Sequence, residues 1–221
     1  MKRERSVSDS GRKRRKGDYL EENGITVDGG EIRPATAFDA LDVPDGLKTA
    51  LGEFDEPTPI QACTWPPALD GRDVVGIAET GRSVRSLSLS VLLALTAGGS
   101  GKTLAFGIPA LARLLASKKK KSVNVLVVAP TRELAIQTHD TLSALGAPFG
   151  ITSVAVFGGV PKDGQVKSLG KSPRIVVGTP GRILDLVNDG VCHLKQLRVL
   201  FRSVEIVLMH PRAQCQLSCP G

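Results

Sequence analysis

Ser100-Gly101-Lys102-Thr103 closes a glycine-rich stretch and opens a helical pattern. At such a junction, backbone N–H groups and the helix N-terminus hold phosphate oxygens. A Lys ammonium reaches the β- and γ-phosphates, and a Thr hydroxyl reaches Mg²⁺. The G-x-x-x-x-G-K-T spacing fails as written, because Thr96 stands five residues before Gly101. Ala78-Glu79-Thr80-Gly81, directly after an apolar run, supplies the missing half: removing residues 82–99 leaves Ala-Glu-Thr-Gly-Ser-Gly-Lys-Thr, a complete phosphate loop on a strand–loop–helix path. Residues 82–99 carry no charge after Arg85 and follow neither helical nor strand period. They read as an inserted peptide that loops out from the sheet edge. Closing a loop lengthened by this much costs on the order of 1–2 kcal/mol, so the insertion alone need not unfold a domain.

Other groups suited to a nucleotide lie upstream. The run Phe-Asp-Glu-Pro-Thr-Pro-Ile-Gln ends at Gln61, and Phe38 precedes it. An amide both donates and accepts, which matches the N6/N7 edge of adenine, while an aromatic ring can cap a base by stacking. Downstream come Pro-Thr-Arg-Glu-Leu-Ala from Pro130, the pair Gly158-Gly159, and Thr-Pro-Gly-Arg from Thr179.

These groups need a frame. Short β-branched runs at 74–78, 123–129, 151–157 and 174–178 alternate with helical patterns at 103–116, 131–145 and from 181 to 187. Alternation of this kind predicts βαβ units, hence an α/β fold with a parallel sheet, three layers deep. Each downstream motif falls at the C-terminal end of a predicted strand, the side on which open α/β sheets bind ligands. The lysines at 118–121 sit between a helix and a strand and read as a solvated turn.

With 221 residues, 41% hydrophobic and 23% charged, the chain can bury a core without disulfide or metal staples. Four scattered cysteines and no signal-peptide pattern argue against a secreted disulfide framework. The longest apolar stretch, 84–97, is too short for a bilayer span, so no membrane partner is expected. Of the net charge of +7, most belongs to residues 1–16, which hold eight Lys/Arg against Glu4 and Asp9, while the remainder has 21 basic and 20 acidic groups. The clusters Lys2-Arg3 and Arg12-Lys13-Arg14-Arg15-Lys16 suit a nuclear address or an RNA-contacting arm. Cys63 and Trp65 read as packing residues. His193, His210, Cys215 and Cys219 lack the paired spacing of a zinc site.

In this order, over residues 38–187, the Gln motif, split phosphate loop, PTRELA, Gly-Gly and TPGR resemble the DEAD-box RNA helicases. The runs QACTWP, DVVGIAETG, AFGIPA and FGGVPKDGQ resemble a fungal nucleolar subfamily acting in pre-rRNA processing for the large ribosomal subunit. The resemblance implies an incomplete P-loop, RecA-like domain that takes ATP and Mg²⁺ as cofactors. Gln61 would read adenine and Phe38 stack on it. Ala78, Glu79, Thr80, Gly81, Ser100, Gly101, Lys102 and Thr103 would surround the phosphates, with the Thr103 hydroxyl on Mg²⁺. Thr131, Arg132, Gly159, Thr179 and Arg182 would touch RNA sugar-phosphate without base readout. Pre-rRNA and pre-ribosomal proteins are the implied partners, and nucleus and nucleolus the implied location.

The resemblance fails at the next strand, where an acid must hold Mg²⁺ and a second must orient the attacking water. After Asp189 the sole acid is Glu205, ahead of the apolar run 206–209 instead of after it. The expected organisation is thus a basic disordered arm at 1–30, a partial N-terminal RecA-like domain at 31–200 and an aberrant tail at 201–221. Later family motifs and a second RecA-like domain are not found in the sequence. Two functions follow: an ATP-dependent RNA helicase by family, or a non-enzymatic fragment that binds nucleotide or RNA weakly.

Overall fold

The computed structural model describes residues 16–52, 54, 56–77, 101–117, 122–202 and 206–209. The helices are α1 (Lys16–Glu22), α2 (Asp45–Leu51), α3 (Pro59–Leu69), α4 (Lys102–Ala116), α5 (Arg132–Gly146), α6 (Asp163–Leu169) and α7 (Pro180–Asn188). The strands are β1 (Val74–Gly76), β2 (Val125–Val128), β3 (Ser153–Val156), β4 (Ile175–Gly178), β5 (Val199–Arg202) and β6 (Ile206–Met209). They form one sheet in the order β1-β6-β5-β2-β4-β3. β5, β2, β4 and β3 are mutually parallel, and β6 runs antiparallel to both β5 and β1. β1 therefore points the same way as the parallel strands.

The sheet has two covered faces because its strands are apolar at odd and even positions alike. Val125, Val127, Ile175, Val177, Val199 and Phe201 enter one core with Trp65 of α3 and Leu104, Ile108 and Leu111 of α4. Leu126, Val176 and Val156 enter the other with Ile183 and Leu186 of α7. This is the expected three-layer α/β arrangement, with α3 and α4 packed closely together on the first face.

The four expected strands are each shorter by one to three residues, because ladder pairing ends before the apolar run does. Ile151 is buried, yet its N–H bonds to Gly146 O at the end of α5 instead of joining β3. The helices begin one residue earlier (α4, α7) or later (α5) than expected. Pro180 opens α7, where a missing N–H costs nothing.

Two expectations about the ends need correction. Regular structure does not stop at residue 200: Phe201 is 1% exposed and its ring centroid lies 4.7 Å from Phe106 of α4. Alternation in Val199-Leu200-Phe201 sends every second side chain into the core, and the run Ile206–Met209 adds a further strand. Nor is the whole of 1–30 irregular. α1 forms at Lys16–Glu22, and Asn23 Nδ2 donates to Tyr19 O at 2.8 Å to close its C-terminal end. The expected loop at 82–99, most of the basic arm and the lysines at 118–121 lie outside the described residues.

Among the described residues, no helix is long and apolar enough to cross a membrane. Trp65 is fully buried as expected. Burial pushes the Cys63 thiol up to about 11 and raises Cys192 as well, so both stay protonated and unreactive at neutral pH.

Candidate functional site

β1 leads toward α4 through residues 78–100, so Ala78, Glu79, Thr80, Gly81 and Ser100 lie outside the described residues. The other half of the phosphate loop is in place. Gly101 is the N-cap of α4 with φ +68°, and Lys102 and Thr103 occupy the first turn of this 15-residue helix. Its N-terminal N–H groups and dipole favour an anion here, and Lys102 adds a full charge.

Gln61 ties this turn to the upstream motif. Its Oε1 accepts from Thr58 N at 3.0 Å, which caps α3, and its Nε2 donates to Gly101 O at 3.1 Å. A Cβ at position 101 would sit 2.5 Å from Gln61 Nε2, so glycine is required both by its φ and by this contact. The amide keeps one N–H and one lone pair uncommitted, the complement of adenine N7 and N6, although Gln61 is only 3% exposed. Phe38 is half-buried, its ring 5.9 Å from Trp65 and 6.5 Å from Phe54. It packs at the rim of the core, with part of its surface left for a base.

A phosphate group fits these residues: the carbonyl of Gly101 is already engaged by Ala105 N and Gln61, and the first-turn N–H groups of a helix have no intrahelical acceptor. Thr103 could offer a hydroxyl to Mg²⁺. Among the described residues, the C-terminal end of β5 carries Phe201-Arg202 and no carboxylate that could complete such a site. Among the described residues no group of three or more His, Cys, Asp or Glu could hold a metal ion.

The RNA candidates gather at the C-terminal ends of β2, β3 and β4, the same edge of the sheet. Thr131 Oγ1 accepts from Leu134 N at 3.2 Å and caps α5, which places exposed Arg132 on its first turn. The Arg132 guanidinium lies 5.0 Å from the centroid of the Phe157 ring, a cation–π contact. Gly159 holds φ +81° in the turn beyond Phe157. Thr179 is the N-cap position of α7 and donates its N–H to Val156 O. Arg182 Nη1 donates to Gln165 Oε1 at 3.1 Å and Nη2 to Val160 O at 3.0 Å. Arg182 thus spends part of its fork on holding the Gly-Gly turn, and its role is first to shape that turn.

Sequence reasoning missed Gln165. Its amide accepts from Phe157 N at 3.3 Å and donates to Phe157 O at 3.0 Å, clamping the turn that Arg182 also grips. The signal was present in the run Phe157-Gly158-Gly159-Val160-Pro161-Lys162-Asp163-Gly164-Gln165, an amide following a glycine turn. Replacing Gln165 with Ala leaves Phe157 and Arg182 without these partners and is expected to cost about 1–3 kcal/mol of stability. RNA affinity by fluorescence anisotropy should fall several-fold while ADP affinity is unchanged; an unaltered RNA affinity would show that the turn's shape is irrelevant to binding.

The opposite edge is structural. Buried Arg174 donates to Asn124 Oδ1 and to Leu114 O near the C-terminal end of α4. Burial, and then Arg198 nearby, lower its pKa.

A family profile for the DEAD/DEAH box helicase matches residues 58–209. The chain is 40% identical over 185 residues to the ATP-dependent RNA helicase DBP3 of Candida albicans, covering 82% of this chain and 29% of that protein. With the DBP3 of Schizosaccharomyces pombe identity is 48% over 170 residues, covering 76% and 26%. The chain therefore spans less than a third of the length of these relatives. Among solved structures, the ADP-bound RNA helicase Prp28 of Chaetomium thermophilum superposes with a TM-score of 0.71 at 28% identity, covering 90% of this chain and 46% of that one. A DEAD box protein of Methanococcus jannaschii gives 0.60 at 30% identity, covering 76% and 41%. With the phosphate helix, the Gln61 tether and the arginine-bearing edge on one side of such a sheet, the chain belongs to the DEAD/DEAH box helicase family.

Proposed function

We propose that this chain provides the ATP- and RNA-binding face of an ATP-dependent RNA helicase that acts on pre-rRNA in ribosome biogenesis. The observation that carries the reading is the bond from Gln61 to Gly101, which couples a base-reading amide to the phosphate helix, on the same sheet edge as Arg132 and Arg182. The resemblance of QACTWP and FGGVPKDGQ to the nucleolar subfamily supports the pre-rRNA target, and the basic arm supports a nuclear and nucleolar address. Pre-ribosomal proteins are the partners that such a role requires.

A second reading has its own observation. Arg202 ends β5 where an acid pair would hold Mg²⁺ and orient water, and the one acid that follows, Glu205, precedes the next apolar run. On this reading the chain binds nucleotide weakly and does not turn it over. Phosphoryl transfer rests on positioning and electrostatics, and these carboxylates supply both.

One set of measurements separates the readings. ATP hydrolysis with and without RNA should stay at background in this chain; RNA-stimulated turnover that disappears in Lys102→Ala would establish the enzyme instead. Calorimetry with ATP should show weak binding, tightened about tenfold or more, roughly 1.4 kcal/mol, on deletion of residues 82–99. The deletion would restore a fixed separation between base and phosphate recognition. Equal affinities would mean that the segment is a tolerated loop.

A further inference from the structure

Exposed Arg132 stands on the first turn of α5, where the helix dipole opposes a cation. Among the described residues its side chain forms no hydrogen bond or ion pair, and what its guanidinium meets is the Phe157 ring, 5.0 Å from Cζ to the ring centroid. A ring face attracts the cation without accepting from any particular N–H, so the donors of the guanidinium stay available to a phosphate. Arg182 is the contrast: two of its nitrogens already donate, to Gln165 Oε1 and to Val160 O.

The ring is itself fixed. Phe157 is half-buried, and the buried Gln165 amide grips its backbone at both N and O. That same amide receives Arg182, so one turn links the arginine of α5 to the arginine of α7. An exposed arginine with no such support samples many rotamers, and ordering its long side chain opposes binding. The Phe157 ring meets part of that cost before RNA arrives.

We propose that Phe157 is a positioning residue for RNA: its ring presents Arg132 to the phosphate backbone, so that Arg132 makes the contact while Arg182 and Gln165 shape the turn that carries the ring. The proposal rests on the RNA-binding reading above. It gives the aromatic side chain ahead of the Gly158-Gly159 pair a function of its own.

The test is a double-mutant cycle on the full chain, read by fluorescence anisotropy with a labelled single-stranded oligouridine. Arg132→Ala should weaken RNA several-fold and lower the log–log salt slope by about 0.7, the share of one phosphate contact. Phe157→Leu, which keeps an apolar side chain and removes the ring, should weaken RNA about two- to fivefold. Phe157→Tyr should stay near the parent value. In the Arg132→Ala background, Phe157→Leu should cost nothing further, whereas a ring that only shapes the turn would cost the same in both backgrounds. Equal losses in the two backgrounds, or no loss in either, would overturn the proposal. If the parent chain does not bind the oligomer, or if Arg132→Ala binds it with the parent's affinity and slope, the RNA edge itself is misassigned and the proposal fails with it.

Discussion

Replacing Trp65 with alanine is expected to lower the unfolding free energy by about 3–5 kcal/mol, the range for removing a buried aromatic side chain. The indole is fully buried between α3 and α4, and its N–H donates to Leu104 O at 3.2 Å. It also supports Phe38 from beneath. Alanine would therefore leave a void where the two helices that carry Gln61 and Lys102 meet. Trp65 is the one tryptophan in the chain, so unfolding has to be followed by circular dichroism. The urea midpoint should drop with little change in slope. Trp65→Phe, which keeps a ring and loses only the bond to Leu104, should cost about 1 kcal/mol beyond its smaller volume. A loss under 1 kcal/mol for the alanine variant would mean that α3 and α4 close over the void.

Gly101→Ala should be nearly as damaging and more informative about the site. At φ +68° an alanine pays roughly 1–2 kcal/mol of backbone strain. Its Cβ would stand 2.5 Å from Gln61 Nε2 and 2.9 Å from Thr58 Oγ1, so the Gln61 amide must move. Displacement breaks the bond to Gly101 and the cap on α3, each worth about 1 kcal/mol. The expected stability loss is about 3 kcal/mol, with ADP affinity down at least tenfold. Gln61→Ala in the same chain relieves the clash, so the double variant should lose clearly less than the two singles added together. Strict additivity would show that Gln61 and Gly101 do not act as a unit.

Much of this site could be read from residue order because its chemistry sits at the ends of regular elements. Thr131 and Lys102 each mark a helix start after an apolar run, and both helices begin within a residue of the expected place. The Gln61–Gly101 bond was beyond reach, since it joins residues 40 apart that meet only when α3 and α4 pack. The grip of Gln165 and Arg182 on the Gly-Gly turn depends likewise on where α6 and α7 land. Strand direction escaped for another reason. The run Ile206–Met209 is apolar whichever way it runs, and nothing in it states that it pairs antiparallel to β5.

That antiparallel strand governs how the nucleotide edge is held. Among the described residues β1 has β6 as its one ladder partner, through Val74↔Leu208, Val75↔Val207 and Gly76↔Ile206, and β6 in turn pairs β5. The three strands are links in series. Amide protons of β1 are expected to exchange no more slowly than those of central β2, because an edge strand opens by breaking a single seam. Gly76 at the end of β1 is thus held by one seam, as is β3 at the other edge, while β2 and β4 are laced on both sides. The sheet is laced twice along its centre and once at each of its two edges.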